Sequence, residues 1–241
     1  SSLGDVVHTL PAIRLLREHC PDAMVSWVVA DAYAELVDLC PDVDETIVFR
    51  RRRWARCRHW HEVIGFIREL RRHRFDLALD FQGLLRSSLI TWLSGAPRRV
   101  GFRSAREGAS WIYTEKVLVP ANLRHAVDKN TFLVRSALQL PESGGRGTFA
   151  PQHDAVKRAD TLARHYELDF SGSVVAVAPA ARWQSKAWPP RFFAGVLDRV
   201  QRASPQTQFW LVGTEDEHAV GEEVGELCQE AVPKNMMGEA N

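Results

Sequence analysis

The stretch SSLGDVVHTLPAIRLLR, residues 1–17, decides how the remainder of the chain is read. Two hydroxyls, a glycine and a carboxylate fall within a turn's length, and an apolar stripe starts directly after them. Val6, Val7, Leu10, Ile13, Leu15 and Leu16 recur mostly at spacings of three and four, the period of a half-buried helix. Asp5 stands just ahead of that stripe, where a helix N-cap belongs. Gly4 lets the backbone approach a ligand closely, and free N–H groups at a helix start favour an anion. Pro11 predicts a kink one to two turns in. Together these residues describe the loop between a sheet strand and its following helix, the usual ligand rim of an open α/β sheet. Asp5 has two readings, a helix cap or a general base at the mouth of a cleft, and spacing alone does not choose between them.

Outward from this stretch the pattern alternates. MVSWVVA (24–30) reads as a buried strand, and 31–39 as a short helix capped by Asp31. Residues 44–49 form a second strand. A helix then runs to residue 74 with Val63, Ile64, Phe66, Ile67 and Leu70 on one face. FDLALDF (75–81) is a third strand, 82–93 a helix, and RRVGF (98–102) a strand followed by a polar turn and a helical start near Arg106. Weak helical periodicity covers 125–140. The Gly-, Pro- and Ser-rich run from 141 reads as a linker, after which Asp154 opens a helix. SVVAVAP (173–179) has the nearly continuous apolar character of a strand buried inside a parallel sheet. Pro189 and Pro190 suit the entrance of a helix over 190–202, and 208–213 and 215–230 add a strand and a helix. Alternating strands and helices predict two doubly wound α/β domains, 1–140 and 154–241, joined by a linker at 141–153. The second is short, and residue 1 falls in a turn that ought to follow a strand. The expectation is therefore a piece of a longer chain, lacking an N-terminal strand and part of the second domain.

Composition narrows the class. With 241 residues, 45% of them apolar, and a net charge of +1, the chain has the make-up of an ordinary globular protein. No apolar run approaches the roughly 18–20 residues of a membrane span. Cys20, Cys40, Cys57 and Cys228 are scattered without CxxC spacing, which suggests neither a disulfide framework nor a zinc site and fits a reducing cytoplasm. The balanced charge hides a local excess: residues 50–74 contain ten arginines, with Trp54 and Trp60 among them. Such a run points to an anionic partner (phosphates, acidic sugars or a membrane surface) or to a solvated helix face. No nucleic-acid-binding motif accompanies it. Asp42-Val43-Asp44 superficially matches the DxD of metal-dependent transferases, but it precedes a strand and reads as a turn. His59 and His61 read as surface residues rather than metal ligands, and no metal is required. No G-x-G-x-x-G follows any strand, which argues against a dinucleotide-binding oxidoreductase.

SSLGDVVHTLPA (1–12), DLALDFQGLLRSSLI (76–90), SGAPRRVGF (94–102), SAREGASWIYTEKV (104–117) and ARWQSKAWPPRFF (181–193) resemble, in this order, the sequences of glycosyltransferase family 9. These are the bacterial lipopolysaccharide heptosyltransferases, and the likeness is greatest to the heptosyltransferase I group. The resemblance implies a GT-B fold, two Rossmann-like doubly wound domains facing a cleft, with the second domain incomplete here. It implies an acceptor domain first and a nucleotide-sugar domain second. The implied reaction is inverting transfer of heptose from ADP-heptose to the Kdo residue of lipid A, with no cofactor and no metal. Another family 9 sugar or acceptor, or a non-catalytic binding fragment, are the alternatives.

Asp5 matches the family's proposed base, and a negative charge at a helix start is favoured by the dipole. His8, three residues on, reads as a packed or solvated histidine. Lys186 in KAWP matches the lysine that binds the donor phosphates, with Arg182 beside it; Ala180 and Ala181 lack the hydroxyls that some relatives carry there. Glu217 corresponds to a ribose-binding acidic residue, or is a surface glutamate. Acceptor recognition falls to Gly4, Arg52, Arg53, Arg56, Gln82, Arg86 and Arg106, because arginine's planar fork suits the carboxylates of Kdo and the phosphates of lipid A. The basic run would also draw the protein to the anionic cytoplasmic face of the inner membrane. A motif that helps hold the donor in the family, Asp-Thr/Ser-Gly…His, has no match after Gly238.

Overall fold

The chain's first helix, α1 (Leu3–His19), begins earlier than the apolar stripe suggests. Ser2, in extended conformation, is its N-cap, and Asp5 occupies the third helical position. The Ser2 hydroxyl accepts the Asp5 N–H at 3.3 Å while the Asp5 carboxylate accepts the Ser2 N–H at 2.7 Å. This reciprocal capping box satisfies two donors that a helix start otherwise leaves open. Asp5 is thus not the N-cap, and Gly4 lies inside the first turn. The helix continues through Pro11, whose missing N–H removes a single bond, because Val6, Leu10, Ala12, Ile13 and Leu15 are buried on both sides of it. Val7, counted in the stripe, points away and is exposed.

The computed structural model describes residues 2–54, 60–140, 153–168, 172–181 and 183–239. It divides into two compact units, Ser1–Ala150 and Pro151–Asn241. Of the expected linker, residues 141–152 lie outside the described residues, and the next helix starts at His153.

In the first unit β1 (Ser26–Ala30) leads through a 3-10 turn at Asp31–Tyr33 into α2 (Ala34–Asp38), and β2 (Glu45–Phe49) follows. Asp31 does not cap α2; its carboxylate accepts the adjacent Ala32 N–H. After β2 come α3 (Arg51–Trp54) and α4 (Trp60–Arg72), then β3 (Leu77–Asp80), α5 (Leu85–Leu93), β4 (Arg98–Phe102), β5 (Glu115–Val117) and α6 (Ala126–Leu138). β1 pairs in parallel with β2, and β4 lies between β3 and β5, all parallel. Near Arg106 a 3-10 turn at Ala109–Trp111 and β5 replace the expected helical start. Three residues are too few for a period-two pattern to register.

α1 is the common support of both sheets. Val6 packs with Val29 near the end of β1, whereas Leu10 and Ile13 cluster with Val25 just before it. Ala12 and Leu15 meet Leu79 and Phe81 of the β3 end together with Val134 of α6. Within the α1–α6 contact, Thr9 donates to the Asp5 carbonyl at 2.7 Å, and the buried Asn130 amide donates to the Thr9 hydroxyl at 3.1 Å and to the His8 carbonyl at 3.3 Å.

A buried carboxylate fixes the ends of β3 and β4. Asp80, 3% exposed, accepts the N–H groups of Gln82 and Gly83 at 2.9 and 3.1 Å, and the Tyr113 hydroxyl at 2.7 Å. The Tyr113 ring lies so close over β4 that a Cβ on Gly101 would come within 2.3 Å of it, so only glycine fits there. Burial, and then the Asp80 charge, push the Tyr113 phenol up, and it stays a neutral donor at physiological pH.

The second unit contains α7 (His153–His165), β6 (Val174–Val177), α8 (Pro190–Ala203), β7 (Gln208–Leu211), α9 (His218–Leu227) and β8 (Lys234–Asn235). The strands form one parallel sheet with β7 in the middle. β6 is not buried on both faces: Val175 and Ala176 are exposed, and among the described strands β6 pairs with β7 alone. β8, two residues long, gave no sequence signal. Leu197, Phe209, Leu211, Val224, Ala231 and Met237 make the core. Asp198 on α8, 6% exposed, accepts the N–H groups of Gln229, Glu230 and Ala231 at 2.9–3.1 Å and so anchors the segment after α9.

Two stability predictions follow from these carboxylates. The Ala231 N–H foremost, then those of Glu230 and Gln229, hold the Asp198 carboxyl below the usual carboxylate range. A depressed folded-state value contributes stability above the unfolded value of about 3.9 and loses it as pH falls through the folded one. Asp198→Asn is expected to cost about 1–3 kcal/mol at pH 7, and urea melts should show the deficit shrinking below about pH 4. Tyr113→Phe leaves a buried Asp80 oxygen without its donor and should lower stability by about 1–3 kcal/mol in the same assay.

Candidate active site

In each parallel sheet the loops that follow strands collect at the C-terminal edge, and the candidate residues fall there. In the first unit the capping box presents Asp5 on an exposed first turn. One carboxylate oxygen holds the Ser2 N–H; the other has no hydrogen-bond partner among the described residues. Val6, the next residue, is anchored on Val29, which fixes the turn close to the end of β1. His8 meets the N-cap of α6, His125, edge to face with ring centroids 5.3 Å apart. A Cβ at Gly4 would have nothing nearer than 3.8 Å, so the backbone there is open to approach.

The loops after β3 and β4 are tied to each other. The Arg106 N–H donates to the Gly83 carbonyl at 2.9 Å, and the Leu85 N–H donates to the Glu107 carboxylate at 3.1 Å. Gly83 has φ +63°, with Ala105 against it at 3.2 Å from a would-be Cβ, so the turn needs glycine twice over. Gln82, Arg86 and Arg106 are thereby carried on one pair of coupled loops, held from beneath by Asp80.

The arginines after β2 are differently situated. Arg53 pairs with Glu62 of α4 at 2.7 Å, and the Trp54 indole N–H donates to the other oxygen of Glu62 at 3.0 Å. Arg53 therefore has a structural partner as well as a half-exposed guanidinium. Arg56, and the side chain of Arg52 in α3, lie outside the described residues, as does His59. Asp42 and Asp44 sit in a turn, where they pair with Arg14 at 3.0 Å and Arg17 at 2.6 Å.

In the second unit the loop after β6 carries Lys186 in a 3-10 turn at Gln184–Lys186, with an exposed side chain. Trp188 pins the end of this loop to α8 by stacking on Phe192 at 5.5 Å and meeting Phe193 edge-on at 4.9 Å. Pro189 is the N-cap of α8 and Pro190 its first residue. Arg182 lies outside the described residues. The loop after β7 carries Glu217, whose carboxylate accepts the Thr214 N–H at 2.9 Å as part of a second capping box. β6 and β7 are adjacent, with Val177 opposite Leu211, so Lys186 and Glu217 lie at the same edge of one sheet.

Sequence reasoning missed the residues that hold these loops: Asp80 with Tyr113, Glu107 beneath α5, and the Thr9–Asn130 pair under Asp5. Asp80 does carry a signal, a carboxylate at the end of an apolar run directly before Gln82-Gly83. The others are joined only by long-range contacts.

Comparison with known proteins gives these features a family. Residues 63–241 match glycosyltransferase family 9 (heptosyltransferase). Lipopolysaccharide heptosyltransferase 1 of Pseudomonas aeruginosa is 29% identical over 207 residues, which cover 83% of this chain and 56% of that protein. The Escherichia coli K12 lipopolysaccharide heptosyltransferase 1 is 26% identical over 247 residues, covering 97% and 73%. Among solved structures, the E. coli heptosyltransferase WaaC with ADP-2-deoxy-2-fluoro heptose superposes with a TM-score of 0.74 at 25% identity, covering 98% of this chain and 73% of that one. A family 9 glycosyl transferase from Veillonella parvula shares the fold with a TM-score of 0.81 at 20% identity, covering 99% and 67%. The chain spans little more than half the length of the Pseudomonas relative. With three quarters of its residues inside the family match, the chain belongs to glycosyltransferase family 9, the heptosyltransferases.

Proposed function

We propose that this chain belongs to an inverting glycosyltransferase that moves heptose from ADP-heptose to the Kdo residue of lipid A. The observation that carries the reading is the exposed Asp5 carboxylate on a helix start closed by a capping box in a family 9 chain. The first unit would hold the acceptor and the second the nucleotide sugar. Asp5 takes the proton of the acceptor hydroxyl as that oxygen attacks the anomeric carbon of the heptose. The bond from that carbon to the diphosphate breaks, the configuration inverts, and ADP leaves with the bonding pair. Lys186, with Arg182, neutralises the charge that builds on the departing diphosphate. Glu217 takes the ribose with whatever hydrogen-bonding capacity its capping role leaves.

Gly4, Gln82, Arg86 and Arg106 line the acceptor side, joined by Arg52, Arg53 and Arg56 after β2. The coupling of the β3 and β4 loops supports this, because two arginines and an amide held on one backbone unit can meet a carboxylate or phosphate without reordering. Arg53 would exchange Glu62 for the acceptor or hold both. The protein works at the cytoplasmic face of the inner membrane, to which the arginine run at 50–74 draws it by charge; no described helix is long and apolar enough to cross a membrane. A role in binding alone is the second reading.

The test is ADP release from ADP-heptose with and without Kdo-lipid A, on this chain and on the full reading frame that encodes it. Acceptor-dependent release by either supports transfer; nucleotide binding without release by both would favour the binding role. Lys186→Ala is expected to weaken ADP-heptose affinity at least about tenfold, the loss of one charged contact to phosphate, and unchanged affinity in a titration would remove it from the donor site.

A further inference from the structure

α5 is amphipathic in the unusual sense. Its inward face carries Ser88 and Thr91, 0% and 9% exposed, with Ser94 directly after it, and their hydroxyls are spent on carbonyls of the helix itself at 2.6–2.9 Å. Its outward face carries Leu85, Leu89 and Trp92 at a spacing of four and three, 42%, 40% and 54% exposed. The turn Ala109–Trp111 packs beside α5 and adds Trp111, 87% exposed. Two leucines and two tryptophans thus stand exposed on neighbouring elements, in no core cluster among the described residues, a clustering of apolar side chains of the kind that marks an interaction site.

The charges around these side chains say what they meet. Arg86 lies in the first turn of α5, and Arg103 and Arg106 lie in the loop bonded to that turn. At the other end Arg71 donates to the Leu93 carbonyl at 3.2 Å, with Arg72 beside it. The acidic residue of the same loop, Glu107, is engaged by the Leu85 N–H. Cations therefore flank the apolar side chains at both ends. Tryptophan is suited to the boundary between headgroups and acyl chains, where its ring is buried and its N–H stays wet, and arginine pairs with lipid phosphates there.

We propose that the outward face of α5, with Trp111, is a docking surface for an anionic phospholipid bilayer. The proposal deepens the reading of the first unit as the acceptor-binding side and rests on it: the face adjoins the coupled loops that carry Gln82, Arg86 and Arg106, so docking would bring a lipid-borne sugar to those loops. It shares Arg71 and Arg72 with the arginine run at 50–74 but attaches differently, because it depends on inserted apolar side chains and not on charge alone.

Sedimentation with vesicles of phosphatidylglycerol and phosphatidylethanolamine, against vesicles of phosphatidylcholine, tests it. The unaltered chain is expected to partition at least about tenfold more strongly onto the anionic vesicles, because basic residues near the surface are attracted to anionic headgroups. The Trp92→Ser, Trp111→Ser double variant is expected to lose at least about tenfold of that binding while keeping its thermal melting temperature, since both side chains are exposed. Equal binding by the double variant, no binding by the unaltered chain, or a dimer that the double variant dissociates would each overturn the proposal. ADP release with a water-soluble Kdo acceptor reads the catalytic proposal separately: the double variant should keep it, and its absence in the unaltered protein would count against transfer without touching the vesicle result.

Discussion

Parallel pairing of β1 with β2, of β4 with β3 and β5, and of β7 with β6 and β8 is the constraint on which the rest of the structure depends. A parallel pair cannot be closed by a hairpin, so the chain must return between strands by a crossover, usually a helix packed on a sheet face. Every loop that leaves a strand then emerges at the same edge of its sheet, and each loop can carry one or two functional side chains without disturbing the core. In the first unit those loops bring Gln82, Arg86 and Arg106 together; in the second they bring Lys186 and Glu217 to neighbouring strand ends. The helices supply the hydrophobic stabilisation, α1 most of all, since it contributes to the clusters under both sheets of the first unit.

Three carboxylates at these positions do different work, and burial separates them. Asp80 and Asp198 are almost wholly removed from water and surrounded by donors, three for the first and three backbone N–H groups for the second. A buried charge without such partners would cost several kcal/mol, so donors this numerous mark an architectural role. Asp5 is exposed and, among the described residues, holds one donor, the Ser2 N–H. Its capping box orients the side chain while leaving it accessible, which is what a proton acceptor for an incoming hydroxyl requires. The same contrast separates Arg17, engaged by Asp44 and three backbone carbonyls, from Arg106, whose backbone is fixed while its side chain is exposed.

Much of this was legible in the sequence. β4 falls on the expected RRVGF, and the other longer strands and helices lie within a few residues of the periodic runs, because periodicity records which face is buried. What was not legible is what periodicity does not encode. β5 and β8 are too short to show a pattern. The apolar run of β6 looks like a strand covered on both faces, but coverage is a property of neighbours and not of the run itself. Asp5 was expected at the cap and stands three positions inside it, because a capping box needs its acid at the third helical residue and Ser2 already fills the cap. Which face of α5 turns inward is likewise not written in its pattern: the buried face carries Ser88 and Thr91, their hydroxyls satisfied by their own helix. Among the proposed site residues, Asp5, Lys186 and the arginines were picked out by motif likeness alone, whereas Asp80, Tyr113 and Glu107 support the loops through contacts that only the folded chain reveals.

The central claim is that Asp5 is a base as well as part of a cap, and replacing it with asparagine separates the two. The asparagine amide oxygen can still accept the Ser2 N–H, so the helix start survives, but the side chain can no longer take a proton. Measuring acceptor-dependent ADP release and the melting temperature of Asp5→Asn together is therefore the most direct test. A fall in kcat of about 10²–10⁴-fold with a melting temperature within a few degrees of the unaltered protein is the predicted result. Transfer within a few-fold of the unaltered rate, or a loss of activity that only follows a loss of folding, would contradict the claim and leave Asp5 as a helix cap alone.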